Sequence, residues 1–352
     1  MKREQIINFG PGPAAMPFEV LDKCKEELLN WNSTGMSVME ISHRSSEFNA
    51  LFAEVKEKLK QVALIPDSHE ILFMQGGAST QMSMVPMNLS SKESSADYVQ
   101  SGYWAKKAIS EANKITNVNI ASSYPLEKWS LNNSASYIHY TSNETVDGIG
   151  VDLSNMDFNV PLVADMSSNL LTKPVDIKSH SLIYAGTQKN IGTSGLTIVI
   201  IDKDIITKSG KSLPAMFSYD VHSSSDSRYN TPPVFNIYLT GLVIDWIITN
   251  GGLSQMENNI KEKAKLLYEY VDNSNLYINN IDDKFRSDVN VIFNLKDKDK
   301  ESDFLQESIN KNFIGLKGHR SVGGVRVSLY NAVDINMVKK LISFMQEYEE
   351  GT

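Results

Sequence analysis

A mainly parallel α/β sheet is predicted by three features of this 352-residue chain. Short apolar runs such as "EILFM", "LIYAG" and "LTIVIID" recur through its middle, each bounded by small or polar residues, as buried strands are. Between several of them lie stretches whose apolar residues recur at three and four, the helical spacing. The polar residues with chemistry to offer follow the apolar runs: Ala78 and Ser79 after "EILFM", Thr145 after "YIHYTSNE", Asp165 after "VPLVA" and Lys189 after "SLIYAG". Ligands of such sheets bind beyond the carboxyl ends of the strands, so these residues are expected along one edge.

Taken in order, "VLDKCKEELLNW" places Val20, Leu21, Cys24, Leu28 and Trp31 on one helical face, and "EFNALFAEVKEKLKQVAL" repeats the pattern. "EILFM" is a strand ending in the Gly-rich "QGGAST", and "QMSMVPMNL" a helix in which Pro86 marks a kink or a boundary. "SADYV" and "YWAKKAISEANKI" repeat strand then helix. The strands "ASYIHYTS", "VPLVADMS", "SLIYAG" and "LTIVIID" follow. "DVHSSSDSRYN" (220–230) reads as a mobile polar loop. The long helical region "VFNIYLTGLVIDWIIT" breaks at Gly251-Gly252, a hinge between domains. A smaller α+β unit comes after it: strand "SDVNVIFNL", helix "SDFLQESINKNF", strand "VRVSLYN" and helix "DINMVKKLISFMQEYEE". The charged run "LKDKDKESD" is a solvated connection.

Composition excludes several function classes. A net charge of −8 supplies no basic field for nucleic acid. Cys24 is the one cysteine, so no internal disulfide forms, and a reducing, cytoplasmic setting is expected. No apolar run reaches membrane-spanning length. The six histidines show no metal-ligand spacing, so no metal is expected. Arginine is scarce: Arg3, Arg44, Arg228, Arg286, Arg320 and Arg326 are the full set. As arginine is the bidentate binder of carboxylate and phosphate, an anionic substrate would depend on where these few fall.

Lys189 is the sharpest chemical candidate. It sits in "YAGTQKNIG" among Gly186, Thr187 and Gly192. A surface lysine in a turn is the ordinary reading. A Schiff-base lysine is the alternative, and small neighbours would let a planar cofactor approach the backbone. Asp165 ends an apolar strand some two dozen residues earlier. It serves either as a turn former or as the carboxylate that keeps a pyridinium nitrogen protonated. "QGGAST" directs backbone N–H groups and a helix N-terminus at an anion, but lacks the Gly-Lys-Ser/Thr ending of a nucleotide loop. Trp104 suits either the core or stacking on a pyridine ring.

In combination, "FGPGPAAMP", "SVMEISHRSSEF", "DYVQSGYWA", "SNETVDGI", "VADMSS", "YAGTQKNIGTSGLTIVI", "YNTPPVFNIYLTGLV" and "LKGHRSVGGVRVSLYNAV" resemble the phosphoserine aminotransferases, in order and over nearly the whole chain. The resemblance implies the aspartate-aminotransferase-like fold, type I of the pyridoxal-phosphate enzymes. A large domain (16–252) with a mainly parallel seven-stranded sheet is expected beside a smaller α+β domain (253–352, with segment 1–15). It implies a cytoplasmic homodimer with its active sites at the subunit interface. The implied cofactor is pyridoxal 5′-phosphate. The implied reaction is transamination between glutamate and 3-phosphooxypyruvate, giving 2-oxoglutarate and phosphoserine in serine biosynthesis. Whether 4-phosphohydroxy-L-threonine, for pyridoxine biosynthesis, is a second product stays open.

Carried over residue by residue, Lys189 holds the cofactor covalently, Asp165 pairs with its ring nitrogen and Trp104 stacks on the ring. Thr145 bonds near the ring hydroxyl or the phosphate. Ala78, Ser79 and Gln188 bind the phosphate, with Asn230 and Thr231 reaching it from the partner subunit. His43, Arg44, His319 and Arg326 match substrate positions, and His43 and Arg44 are expected to act across the dimer, on a substrate phosphate or on the glutamate side-chain carboxylate. Arg326 suits the α-carboxylate; Arg320 suits a structural role equally well. The chain departs from the family at Ser79, where some members carry arginine, at Thr193, where proline is usual, and at Met82, where phenylalanine is common. The rival readings are a serine–glyoxylate aminotransferase, a cysteine desulfurase, for which Cys24 on a helical core face is a poor nucleophile, and a catalytically inert cofactor-binding scaffold.

Overall fold

The structure, a computed structural model, describes residues 3–208 and 212–351. A first short strand, β1 (Ile7–Asn8), precedes α1 (Phe18–Glu27) and α2 (Ser46–Val62). The sheet region then runs β2 (His69–Gln75), α3 (Gly77–Leu89), β3 (Ser95–Gln100), α4 (Tyr103–Ala112), β4 (Asn117–Ser123), β5 (Ile138–Thr141), β6 (Asn143–Glu144), β7 (Ile149–Gly150), β8 (Leu162–Asp165), β9 (Leu182–Gly186) and β10 (Leu196–Asp202). Helices α5 (Lys203–Lys208), α6 (Tyr219–Ser224), α7 (Val234–Thr249) and α8 (Gly252–Asn273) follow. The chain ends in β11 (Tyr277–Ile278), β12 (Asn290–Leu295), α9 (Glu301–Asn310), β13 (Phe313–Ile314), β14 (Val325–Ser328) and α10 (Ile335–Glu350).

Seven strands form the main sheet in the order β2-β10-β9-β8-β5-β3-β4. Only β10 runs against its neighbours; the pairs from β9 through to β4 are parallel. Helices cover both faces, so β10 is buried from Leu196 to Ile201 without alternation. Each apolar side chain of that run contributes about 1.5–3 kcal/mol of burial. On one side Phe48, Phe52, Val55 and Leu59 of α2 join Ile237, Val243 and Ile244 of α7 in one core. On the other, Met82, Met84 and Val85 of α3 pack with Ala108 of α4 and Val199 of β10.

A second core gathers Leu267 and Val271 of α8, Val291 and Phe293 of β12, Val325 and Val327 of β14, Leu341 and Phe344 of α10, and Phe9. Phe9 is there because β1 pairs in parallel with β13, Ile7 opposite Phe313. The α7–α8 junction bends by 81°. Both glycines there adopt left-handed conformations, φ 93° at Gly251 and 71° at Gly252, which only glycine takes at little cost.

Three expectations are corrected. The 220–230 segment is not all loop: residues 220–224 belong to α6, capped by Ser218. Asp226 pairs with Lys56 at 2.7 Å and with Arg228 at 2.9 Å, and the buried Ser227 hydroxyl accepts the Phe73 N–H at 2.9 Å. Pro86 bounds nothing, for α3 continues through it to Leu89. β4 was not anticipated: it is an edge strand whose Asn117, Asn119 and Ser123 leave no apolar pattern.

Candidate active site

β8 and β9 are parallel neighbours, with Asp165 opposite Tyr184. Asp165 therefore ends its strand close to where β9 releases the chain into Thr187-Gln188-Lys189. The lysine turn closes tightly, the N–H groups of Ile191 and Gly192 both returning to the Thr187 carbonyl at 3.1 and 2.9 Å. Two glycines make room around it. A Cβ on Gly186 would meet the Gln188 amide at 2.6 Å, and one on Gly12 would meet Lys189 Cγ at 3.1 Å. The N-terminal "FGPGPA" stretch thus lies against the lysine stem, held by the Ala14 N–H on the Gln188 carbonyl at 2.9 Å.

Lys189 Nζ donates to Thr145 Oγ1 at 2.6 Å and lies 5.5 Å from the Trp104 ring centre. Burial lowers its pKa to about 8, against the raising influence of Asp165 and Glu144 and together with the repulsion of Arg326. Asp165 is 5% exposed. Burial raises its pKa, while Lys189 and Ser167 oppose the rise; Ser167 gives Asp165 Oδ1 a backbone N–H at 2.9 Å and a hydroxyl at 2.6 Å. The neighbouring Tyr184 hydroxyl also opposes the rise and is itself paired with His139 Nε2 at 3.0 Å.

Ala78 and Ser79 lie in the first turn of α3, whose N-cap Gly76 is left-handed and offers no side-chain cap. The first N–H groups of that helix are therefore free to meet an anion. The Gln75 amide, just before the turn, donates to the Thr231 carbonyl at 2.8 Å. Arg326, on β14, is 7% exposed and its guanidinium reaches the Thr145 carbonyl at 3.4 Å. The His319 ring packs on Tyr103, centres 4.7 Å apart, and Tyr103 packs in turn on Trp104. Lys189, Asp165, Thr145, Trp104, Gln188 and Arg326 thus gather in one place with His319 at its rim.

His43 is half-buried and Arg44 exposed; among the described residues no hydrogen bond joins either side chain to the Lys189 cluster. Thr231 is exposed and Asn230 half-buried beside it. Arg320 is exposed, on the turn that carries His319. Thr193 accepts the Asn236 amide at 2.9 Å, so a side-chain tie steadies the turn where proline is usual.

Sequence reasoning missed Glu144, Asn143 and Ser167. Glu144 is fully buried and accepts N–H groups of Trp104 at 2.8 Å and Ala105 at 2.9 Å and the Ser101 hydroxyl at 3.0 Å. Asn143 donates to Ser168 Oγ at 2.8 Å and Asn290 Oδ1 at 2.7 Å. Both lie within "SNETVDGI", so the signal was present, but no local pattern says what they bind.

Two buried donors, Trp104 Nε1 and Arg326 Nε, have no hydrogen-bond partner. With a desolvated lysine and a buried carboxylate beside them, they suit a planar, anionic aromatic cofactor and a carboxylate substrate.

Residues 6–341 match the family model "Aminotransferase class-V". The chain is 45% identical to a phosphoserine aminotransferase of Nitrosomonas europaea, covering 99% of each. The solved phosphoserine aminotransferase of Bacillus circulans subsp. alkalophilus superposes with a TM-score of 0.95 at 41% identity, over 99% of both chains. The enzyme of Trichomonas vaginalis, solved with pyridoxal phosphate bound, superposes with a TM-score of 0.92 at 36% identity, over 97% of this chain and 99% of that one. With the seven-stranded sheet, the strand-end lysine and aspartate and these relatives in agreement, the chain belongs to the class-V aminotransferases of pyridoxal-phosphate fold type I, and among them to the phosphoserine aminotransferases.

Proposed function

We propose that this protein transfers the amino group between glutamate and 3-phosphooxypyruvate, giving 2-oxoglutarate and O-phospho-L-serine, with pyridoxal 5′-phosphate as cofactor. The observation that carries the reading is the Lys189–Thr145 contact beside Asp165 and Trp104. The cofactor, when bound, supplies an electron sink for the substrate Cα. Lys189 would hold it, with Trp104 against its face, Asp165 at its ring nitrogen, Thr145 beside it, and Ala78, Ser79 and Gln188 at its phosphate. Lys189 Nζ takes the Cα proton and delivers it again, because its pKa of about 8 leaves a useful neutral fraction near working pH. Thr145 Oγ1 aims that nitrogen. Buried Asp165 opposes a positive charge at the ring nitrogen without moving. Arg326 grips the α-carboxylate, and His319 closes the rim over Trp104 and Tyr103.

The remaining anion sites are proposed to come from a second copy. Among the described residues, His43, Arg44, Asn230 and Thr231 make no hydrogen bond to Lys189, and apolar residues in the segments that carry them are open: Met39 is 57% exposed and Tyr229 54%. A homodimer would cover those surfaces and bring the four residues to its partner's site. The division into a domain of 16–252 and one of 253–352 with 1–15 is supported by the two cores and the bend at Gly251-Gly252; residues 1, 2, 209–211 and 352 lie outside the described ones. A cytoplasmic location is supported by the lone, unpaired Cys24. Among the described residues no single helix is long and apolar enough to cross a membrane.

The test is an assay of glutamate formation from phosphoserine and 2-oxoglutarate. Activity is expected, with 3-phosphooxypyruvate far better than hydroxypyruvate as acceptor in the reverse direction. Equal use of the two acceptors would favour the serine–glyoxylate class instead. Lys189→Ala is expected to abolish both turnover and the visible band of the bound cofactor, and an unchanged spectrum would sink the lysine assignment.

A further inference from the structure

Helix α4 begins without a cap of its own. Its N-cap is Gly102, which has no side chain to meet the first free N–H groups. Two carboxylates from forty residues further along supply what is missing. Asp147 Oδ2 accepts the Tyr103 N–H at 2.7 Å, and Glu144 accepts those of Trp104 and Ala105 at 2.8 and 2.9 Å. Glycine is needed at 102 for space: a Cβ there would lie 2.8 Å from Glu144 Cδ and 2.5 Å from Asp147 Oδ2. Charge-assisted bonds to the positive end of a helix are among the stronger contacts available to a carboxylate. They offset part of the cost of burying Glu144; burial still outweighs them, with the nearby Asp147 adding to it, and the acid's pKa stands raised at about 7.

The sequence neighbours of Glu144 make this more than a cap. Asn143 bonds Asn290 and Ser168 and accepts the Ser287 hydroxyl. Thr145 holds Lys189 Nζ. Three consecutive side chains thus fasten β12 and the turn before it, α4 and the lysine turn. Adjacent Cα atoms are held about 3.8 Å apart by the peptide bond, so the anchor of Trp104 and the anchor of Lys189 cannot drift independently.

We propose that Glu144 is a positioning residue, which sets the height and tilt of the Trp104 indole over Lys189 through the first turn of α4. This rests on the reading of Trp104 as the face that meets the cofactor ring. Neither the resemblance of motifs nor the predicted site residues assigned Glu144 a task.

The experiment is Glu144→Gln in the holoenzyme, read by the visible circular dichroism of bound pyridoxal phosphate, by quenching of Trp104 fluorescence against a Trp104→Phe reference, and by steady-state kinetics. The amide keeps the shape but turns one acceptor into a donor facing a backbone N–H. The visible absorption band is expected to persist, since Lys189 is untouched. The dichroic signal and the quenching are expected to fall at least about twofold, and kcat about tenfold or more with KM for glutamate within about threefold. Glu144→Asp, which keeps the charge one methylene short, is expected to fall between. Wild-type dichroism, quenching and kcat with only a lower melting temperature would overturn the proposal and leave Glu144 a plain cap. Should the glutamine variant not fold, Gly102→Ala pushes both carboxylates from the other side and must show the same signature; normal dichroism there overturns it equally. Absence of a cofactor band in the wild-type protein would overturn the reading on which the proposal rests, and the proposal with it.

Discussion

At the scale of single residues, the site turns on one lysine made reactive by burial. Only the neutral amine is a nucleophile, and the neutral fraction of Lys189 rises as pH passes through about 8, against about 10.4 for an ordinary lysine. In apoprotein, trace labelling with an acylating reagent followed by mass spectrometry should therefore reach half its plateau at Lys189 near pH 8. A free lysine derivative labelled in the same tube should still be rising about two units higher. Coincident profiles would show that burial does not lower the Lys189 pKa. Lys189, Asp165, Trp104 and Arg326 were legible because they end strands or sit in motifs. Glu144, Ser167 and Tyr184 were not, because their value lies in contacts to strands and helices remote in sequence.

Among the elements, the turn that carries His319 shows how little slack the rim has. The Gly318 N–H donates to the Gly324 carbonyl at 2.8 Å, and the Gly323 N–H returns to His319 at the same distance. A Cβ on Gly318 would run into the Gly323 carbonyl. Gly318→Ala should open this turn and move the His319 ring off Tyr103. KM for the amino-acid substrate is expected to rise about tenfold, equivalent to ~1.4 kcal/mol of binding, with the cofactor band retained. An unchanged KM would mean that His319 plays no part in holding substrate. The strands of the main sheet were readable as apolar runs because both faces are buried. β4 and α6 were not: the edge strand and the short capped helix bury only a few side chains each, and their polar sequences look like loops.

Across the whole molecule, a buried cation joins α8 to the approach of α10. Lys263 is 1% exposed, and its ammonium donates to the carbonyls of Leu329, Tyr330 and Val333 at 2.9, 3.1 and 2.6 Å. Burial works against its charge; three acceptors for three donors work for it. The turn so held also presents Asn331, whose N–H meets Asn190 Oδ1 at 3.0 Å, next to Lys189. Lys263→Met should cost about 3 kcal/mol or more, because it strands buried carbonyls. Urea titration would measure it, and a loss below ~1 kcal/mol would mean that water or relaxation satisfies them.

The pairing of β1 with β13 carries a consequence for how the chain is made. Ile7 and Asn8 leave a ribosome about three hundred residues ahead of their partners Phe313 and Ile314. Phe9 must find a core whose other members lie beyond residue 263. The segment around Phe9, whose continuation lies against Lys189, therefore has no seat until the strand at Phe313 has emerged. One wall of the site thus waits on a contact spanning most of the sequence, and contacts of such long separation form slowly.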